Sequence, residues 1–405
     1  MTQGPLLRNP VFRRFIGASA MAQLGSGVFS LAFPWLGSIL TRDPLLIGAL
    51  AMAPQLPWLF LALPAGVLTD RLDHRKTIMV GNLIHASLAL AVLALAALAE
   101  PGTAAIWALF ALAFLQGSND VLRDNTAQTF LPQVVSKDQL ETANATLQVS
   151  EIAMWQFIGP PLAGVLIAAS ISLAFAFEAT MLFASALLVA GVRVAPLPRA
   201  QPKPFWPAMR EGLAWLWAHP PLRNLALVLA AYNFLYQVIW AVMVLFAQDA
   251  LGLGPVGYGA LLSALALGGL AGGFAAPWII ARIGVRHSLL LSVAGFCLST
   301  SVLIFTRDPW LAGLTLFGDA FTSMTWNVAT VSYRQRHIPP PLLGRVNAVY
   351  RWIGSGPRPF GSLLGGALVA WGAPLGDWAL HLPFALATAA GLVMLALSVR
   401  VLRFD

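Results

Sequence analysis

Asn144, Gln148, Glu151 and Trp155 recur at steps of four, three and four. On a helix that spacing sets two amides, a carboxyl and an indole along one face. The chain around them is apolar. A carboxyl held in such surroundings is expensive and usually functional. It can exchange a proton near neutral pH or meet a polar group on a cargo. Its plainer use is as a structural partner for an arginine on a neighbouring helix.

Upstream, "QGSNDVLRD" places Gln116, Asn119, Asp120 and Arg123 on one face. Asp120 and Arg123, three apart, can pair. Arg123 and Asp124 suit either an inner gate or charges reaching from a helix end toward water. Farther on, Asn347, Arg351 and Arg358 stand at steps of four and seven, and Asp319 lies deep in its own apolar run. Either arginine can pair with Glu151 or Asp319, and spacing does not choose. Asn233, Tyr236, Gln237 and Trp240 share a face, while Trp326 and Asn327 lie on another segment. Aromatic walls with a few polar groups suit a bulky amphiphile. Packing or interface anchoring is the simpler use of the aromatics.

The chain that must position these groups is oily. Its 405 residues are 58% hydrophobic and 10% charged, with a mean hydropathy of +0.76. Soluble domains run at roughly 45–50% and 25%, and so few charges cannot cover a soluble surface. Twelve apolar segments cover about 12–40, 44–69, 77–99, 103–129, 140–168, 171–192, 222–250, 256–281, 287–306, 309–333, 343–371 and 380–400. Such lengths match a hydrocarbon core of about 30 Å. Unpaired backbone finds no water in lipid, so each segment is expected to be a helix. Barrel strands would be shorter and would alternate. Glu151, about nine residues into the fifth segment, then lies roughly 14 Å deep, near the midplane.

With the N-terminus placed inside, nineteen Lys and Arg fall on inner connections and only Arg42 and Arg307 on outer ones. That is a strong positive-inside bias, and it puts both termini in the cytoplasm. The basic start leads directly into the first segment, read as an uncleaved helix. The net charge of +8 is spread between apolar segments, which suits an anionic inner leaflet rather than nucleic acid. The longest inner connection, 193–221, is Pro-rich and basic. It is read as a cytoplasmic loop dividing a six-helix bundle, 1–192, from a second, 222–405.

The halves repeat. "LPQVVSKDQLETANATL" and "IPPPLLGRVNAVYRW" match and pair Asn144 with Asn347, and "DRLDHRK" (70–76) has a partner in "ARIGVRH" (281–287). Glu178 and His381 stand at like points of the sixth and twelfth segments, interfacial or functional. A repeat across twelve helices points to a carrier with alternating access. An enzyme is not expected. The six histidines mostly fall near segment ends, none forms His-x-x-x-His, and no Gly-x-x-x-x-Gly-Lys-Ser/Thr occurs. Cys297 is the sole cysteine and sits in an apolar run, so no intrachain disulfide and no Cys-based zinc site can form. Neither a cofactor nor a metal is implied.

Between the second and third segments, "GVLTDRLDHRK" concentrates charge in an otherwise oily chain. Gly66, Asp70, Arg71 and Arg75 fall on Gly-x-x-x-Asp-Arg-x-Gly-Arg-Arg/Lys, with Lys76 directly after it, Asp73 in place of the second Gly and His74 in place of an Arg. The chain thereby resembles the major facilitator superfamily, in the branch that includes macrolide-efflux proteins and the enterobactin exporter. "LLRNPVFRRFIGASAMAQLGSG" and "LPQVVSKDQLETANA" resemble the same branch. The resemblance implies an all-α membrane protein, twelve transmembrane helices in two pseudo-symmetric six-helix bundles. It implies that Gly66, Asp70, Arg71, Asp73, Arg75 and Lys76 form a loop that helps latch one conformational state. Topology alone is the plainer use of those basic residues. "GPPLAG" resembles the helix 5 element of family antiporters through Gly159, Pro160 and Gly164, which favours export. The chain departs from common patterns at Gly25-Ser26, Ala113 and Ala281.

The function so implied is secondary active transport in a bacterial inner membrane. It is proton-antiport export of a bulky amphiphile, drug or siderophore-like, by a monomer whose partners are cargo, protons and bilayer. An importer or lysolipid flippase on the same fold is the alternative.

Overall fold

The computed structural model describes residues 6–69, 72–98, 100, 102–192, 194, 205–339 and 341–402. Asp70 and Arg71 of the loop signature lie outside the described residues. The first apolar segment is helix α1 (Pro10–Leu40), and the second is broken into α2 (Pro44–Met52) and α3 (Leu56–Thr69). Helices α4 (His74–Leu98) and α5 (Thr103–Val134) follow. The fifth segment is α6 (Leu140–Glu151), a π-helical stretch Ile152–Ile158, and α7 (Gly159–Ala169). Helix α8 (Ile171–Ala190) completes the first half.

The connection read as a loop contains a helix, α9 (Phe205–Ala218). Its Leu213, Leu216 and Trp217 recur at helical spacing within a Pro-flanked stretch. Next come α10 (Pro220–Trp240), the short α11 (Met243–Leu245) and a π-helical stretch Phe246–Ala250. Helix α12 (Pro255–Phe305) covers the eighth and ninth segments and breaks at Gly284, whose φ of 77° belongs to a residue without a Cβ. Then follow α13 (Pro309–His337), α14 (Leu343–Ser355), α15 (Arg358–Trp371), a 3-10 stretch Ala373–His381, and α16 (Leu382–Val401). No strand occurs among the described residues. Nine helical stretches among them are long and apolar enough to cross a membrane.

The starts and breaks follow local chemistry. Asn9 caps α1, its Oδ1 accepting from Val11 N at 2.9 Å and Phe12 N at 3.3 Å. Pro10 follows, at a position where no N–H is needed. Asp43 before Pro44 and Asp308 before Pro309 repeat the device. Within the fifth segment Pro160 lacks the N–H that would close a turn, and the preceding turns widen into the π-helical stretch. Gly356 and Pro357 part α14 from α15 in the eleventh segment.

Two compact units emerge: Met1–Thr41, Leu56–Pro202 and Pro255–Ala260 in one, Arg42–Gln55, Lys203–Gly254 and Leu261–Asp405 in the other. In the first, Phe12, Phe15, Ile78, Phe130 and Val189 form a buried cluster. Phe15 meets Phe130 edge-on with centroids 5.4 Å apart. Backbones touch where α1 crosses the fifth segment: a Cβ on Gly159 would fall 2.6 Å from Gly27 Cα. Small residues make that approach possible. In the second unit, α9 packs on α14, where Glu211 pairs with Arg345 and a Cβ on Gly212 would lie 2.9 Å from the Arg345 carbonyl oxygen.

The sequence repeat has a structural counterpart. Arg75 Nη1 donates to the carbonyls of Ala190 (3.3 Å) and Val192 (3.4 Å) at the end of α8, within the first unit. Arg286 Nη2 donates to the Val399 carbonyl at 2.7 Å near the end of α16, within the second. Each cation meets the negative end of a helix dipole. Asp73 caps the start of α4, accepting from Lys76 N at 3.0 Å.

Candidate functional site

The charges of α5 sit in a network that joins three helices of the first unit. Arg123 Nη2 lies 3.4 Å from Asp120 Oδ1 and 3.1 Å from Asp124 Oδ1. From α4, His85 presents Nδ1 at 2.9 Å from Arg123 Nη1 and 3.1 Å from Asp120 Oδ1. From α8, Glu178 Oε1 lies 3.1 Å from His85 Nε2, which also contacts Gln116 Nε2. His85 is 1% exposed and Glu178 0%. Asn119 Nδ2 donates to the Gly81 carbonyl at 3.0 Å and ties α5 to α4. The pairing of Asp120 with Arg123 expected from their spacing is present.

His85 is the member that sequence reasoning misses: a histidine list dominated by segment ends hides one that lies mid-helix. Glu178, which the sequence leaves open between interfacial and functional, is fully buried. Each is the lone ionisable residue of its apolar stretch, 77–98 and 171–190. Lone ionisable groups in membrane helices need partners, and matching the two would have revealed the pair.

Asn144, Gln148, Glu151 and Trp155 are all exposed along one face of the fifth segment. Glu151 ends α6 where the π-helical stretch begins, close enough to Asp124 for the two carboxyls to repel. Among the described residues no ion pair reaches Glu151. A cavity of about 60 Å³ adjoins Arg123 and Asp124, with Gln23, Asn82 and Ser185 among otherwise largely apolar walls such as Phe15, Ile78 and Val189. Gly159, Pro160 and Gly164 are buried. A Cβ on Gly164 would lie 2.6 Å from the Pro255 carbonyl, so this element makes close backbone contacts within the first unit.

In the second unit, Asn233 Nδ2 donates to the Gly354 carbonyl at 2.8 Å, and Arg358 Nη2 donates to Asn233 Oδ1 at 3.2 Å. Gln237 Nε2 and Gln55 Nε2 both donate to Ser362 Oγ, at 3.3 and 3.0 Å. Tyr232, Tyr236 and Trp240 form a stacked aromatic row. Asp319 is 5% exposed and has no ion pair among the described residues. Arg351, Asn327 and Arg358 are exposed, while Trp326 is buried. Arg334 Nη1 donates to Asn347 Oδ1 at 2.9 Å. Asn144, the repeat partner of Asn347, instead donates to the Leu140 carbonyl of its own helix. No group of three His, Cys, Asp or Glu among the described residues is arranged to hold a metal ion.

Membrane-length helices around a buried network of carboxyls define a polytopic membrane protein. The family model for transmembrane secretion effectors, MFS_3, matches residues 2–404, and the chain belongs to that family of the major facilitator superfamily. It is 28% identical over 378 residues to the multidrug efflux pump Tap of Mycolicibacterium fortuitum, covering 90% of this chain and 89% of that one. It is 25% identical over 355 residues to the enterobactin exporter EntS of Salmonella typhimurium, covering 85% and 82%. The fold matches the crystal structure of a mutant of the nucleoside transporter NupG, with a TM-score of 0.77 at 12% identity, covering 97% of this chain and 100% of that one. It also matches a bacterial homologue of the iron transporter ferroportin in its inward-facing state, with a TM-score of 0.74 at 15% identity, covering 98% and 100%.

Proposed function

We propose that the protein exports a bulky amphiphilic small molecule from the bacterial cytoplasm across the inner membrane, driven by proton antiport. The observation that carries the coupling is a charge imbalance: of three carboxyls in one network, Asp120 and Asp124 pair with the single guanidinium, Arg123, while Glu178, among the described residues, meets only the His85 ring and the Gln116 amide. A membrane-buried cluster with more acids than fixed cations can hold extra protons without adding an unpaired charge. The likeness to Tap and EntS over most of each chain supports outward transport.

Within the first unit the proposed cargo-facing residues are Gln148, Glu151 and Trp155. Within the second they are Asn233, Gln237, Trp240, Asp319, Trp326, Asn327, Arg351 and Arg358. A polar stripe on a membrane helix has no favourable contact with lipid tails, so its exposure suits a wetted, cargo-bearing face. The loop of Gly66, Asp70, Arg71, Asp73, Arg75 and Lys76 sets the balance between states, with both termini cytoplasmic.

The test uses inside-out vesicles carrying the protein, energised to an acid interior. Dyes, macrolides, catechol siderophores and lysolipids are added one at a time. The expected result is that one class dissipates the gradient in the wild type and not in Glu151→Gln. If no compound dissipates the gradient in the wild type while counterflow of a labelled compound persists, proton coupling is refuted.

A further inference from the structure

Each nitrogen of His85 faces one donor and one acceptor. Nδ1 lies between Arg123 Nη1, a donor at 2.9 Å, and Asp120 Oδ1, an acceptor at 3.1 Å. Nε2 lies between the Gln116 amide nitrogen, a donor, and Glu178 Oε1, an acceptor at 3.1 Å. Every protonation state of the ring therefore finds partners. With hydrogen on Nδ1, the ring donates to Asp120 and Gln116 donates to Nε2. With hydrogen on Nε2, it donates to Glu178 while Arg123 donates to Nδ1. With both, it donates to both carboxylates. A ring so placed can take a proton at one nitrogen and release another from the opposite one.

The surroundings differ from those of a structural ion pair. A buried pair held for structure needs its remaining lone pairs satisfied. Here Glu178 Oε2 and Gln116 Oε1 are buried without hydrogen-bond partners. Rotation of the Gln116 amide would turn Oε1 toward Nε2 as an acceptor for the protonated ring. On the other side, Arg123 and Asp124 adjoin the cavity of about 60 Å³. Asn82 Oδ1 is buried there without a protein partner. A water needs at least about 10–15 Å³, so the cavity has room for water that can carry protons.

We propose that His85 and Glu178 form a proton store inside the first unit, filled and emptied through Asp124 at the cavity and Asp120, which shares Arg123 Nη2 with it, and separate from Glu151. A proton arriving on Asp120 passes to His85 Nδ1, and the ring releases its Nε2 hydrogen to Glu178 Oε1. Emptying reverses both transfers, and no other bond changes. The titratable and charged groups facing the ring are Asp120, Arg123 and Asp124 from α5 and Glu178 from α8. The inference rests on the proton-antiport reading and names where the proton waits.

The test is infrared difference spectroscopy of the full chain in lipid, stepped in pH without cargo. The expected signal is one C=O stretch among those of protonated carboxyls that rise as pH falls, assigned to Glu178 by difference from its variants. It is absent in Glu178→Gln and shifted in Glu178→Asp. In His85→Gln it persists but forms about 100-fold more slowly, the contribution of a positioned proton-transfer group. The exposed Glu141→Gln serves as the control and leaves it unchanged. If the signal survives Glu178→Gln, or if no carboxyl titrates, the store is refuted. If Glu178→Gln does not fold, an unshifted signal in Glu178→Asp or an unslowed one in His85→Gln refutes it equally. A titrating Glu178 with no proton movement on cargo addition would leave the store standing and overturn antiport.

Discussion

Removing Arg123 separates a buried charge network from surface pairing. Arg123 is 9% exposed and, among the described residues, is the one guanidinium bonded to both Asp120 and Asp124. Arg123→Leu leaves those carboxyls and Glu178 with only the His85 ring. Breaking a buried pair by deleting one partner is destabilising by about 3–5 kcal/mol, because the remaining charge loses its compensation. Arg42 offers the contrast. It pairs with Asp249, and the two side chains are 56% and 43% exposed, a setting where pairs contribute roughly 0.2–1 kcal/mol. Denaturant unfolding in detergent, followed through the 14 tryptophans, measures both. Arg123→Leu should lose several times what Arg42→Ala loses. Adding Asp120→Asn and Asp124→Asn should recover most of the loss, since removing a whole buried network is nearly neutral. If Arg123→Leu falls within 1 kcal/mol of the wild type, the network is not a buried one and the reasoning fails.

Three further outcomes are expected. Gly159→Val, which forces side-chain atoms into the Gly27 backbone, should destabilise by about 1–3 kcal/mol, while the same change at Gly344, with open space around it, should not show that overpacking loss; unfolding midpoints compare them. Arg75→Ala and Arg286→Ala should weaken stability by similar amounts, about 0.3–1 kcal/mol each, and less in high salt; unequal losses in the same assay would count against their structural equivalence. Asp308→Ala should destabilise α13 by about 1 kcal/mol through loss of its cap, with Asp308→Asn close to the wild type, as hydrogen exchange at Trp310 and Leu311 would register.

The helices were legible because the bilayer leaves few choices. Long apolar runs must be helical, and Asn9, Asp43 and Asp308 before prolines mark their starts. Asp120 with Arg123 was legible because helical spacing brings residues three apart together. His85 and Glu178 are 93 positions apart on different helices, and no local pattern joins them. Helix α9 was hidden because prolines around it read as a loop, while its apolar periodicity spans only a few turns. Arg75 read as a charge for topology or a latch, and its capping of α8 depends on where that helix ends in space. For Arg351 and Asp319, spacing along a helix cannot say which neighbouring helix they face.

The central claim is that a proton gradient drives an amphiphile outward. The most direct measurement is cargo accumulation in liposomes of purified protein, with interior acid, exterior neutral and no other energy source. The account predicts uphill accumulation that collapses when a protonophore is added and is lost in Glu151→Gln. Equilibration without accumulation, unchanged by the protonophore, would contradict it.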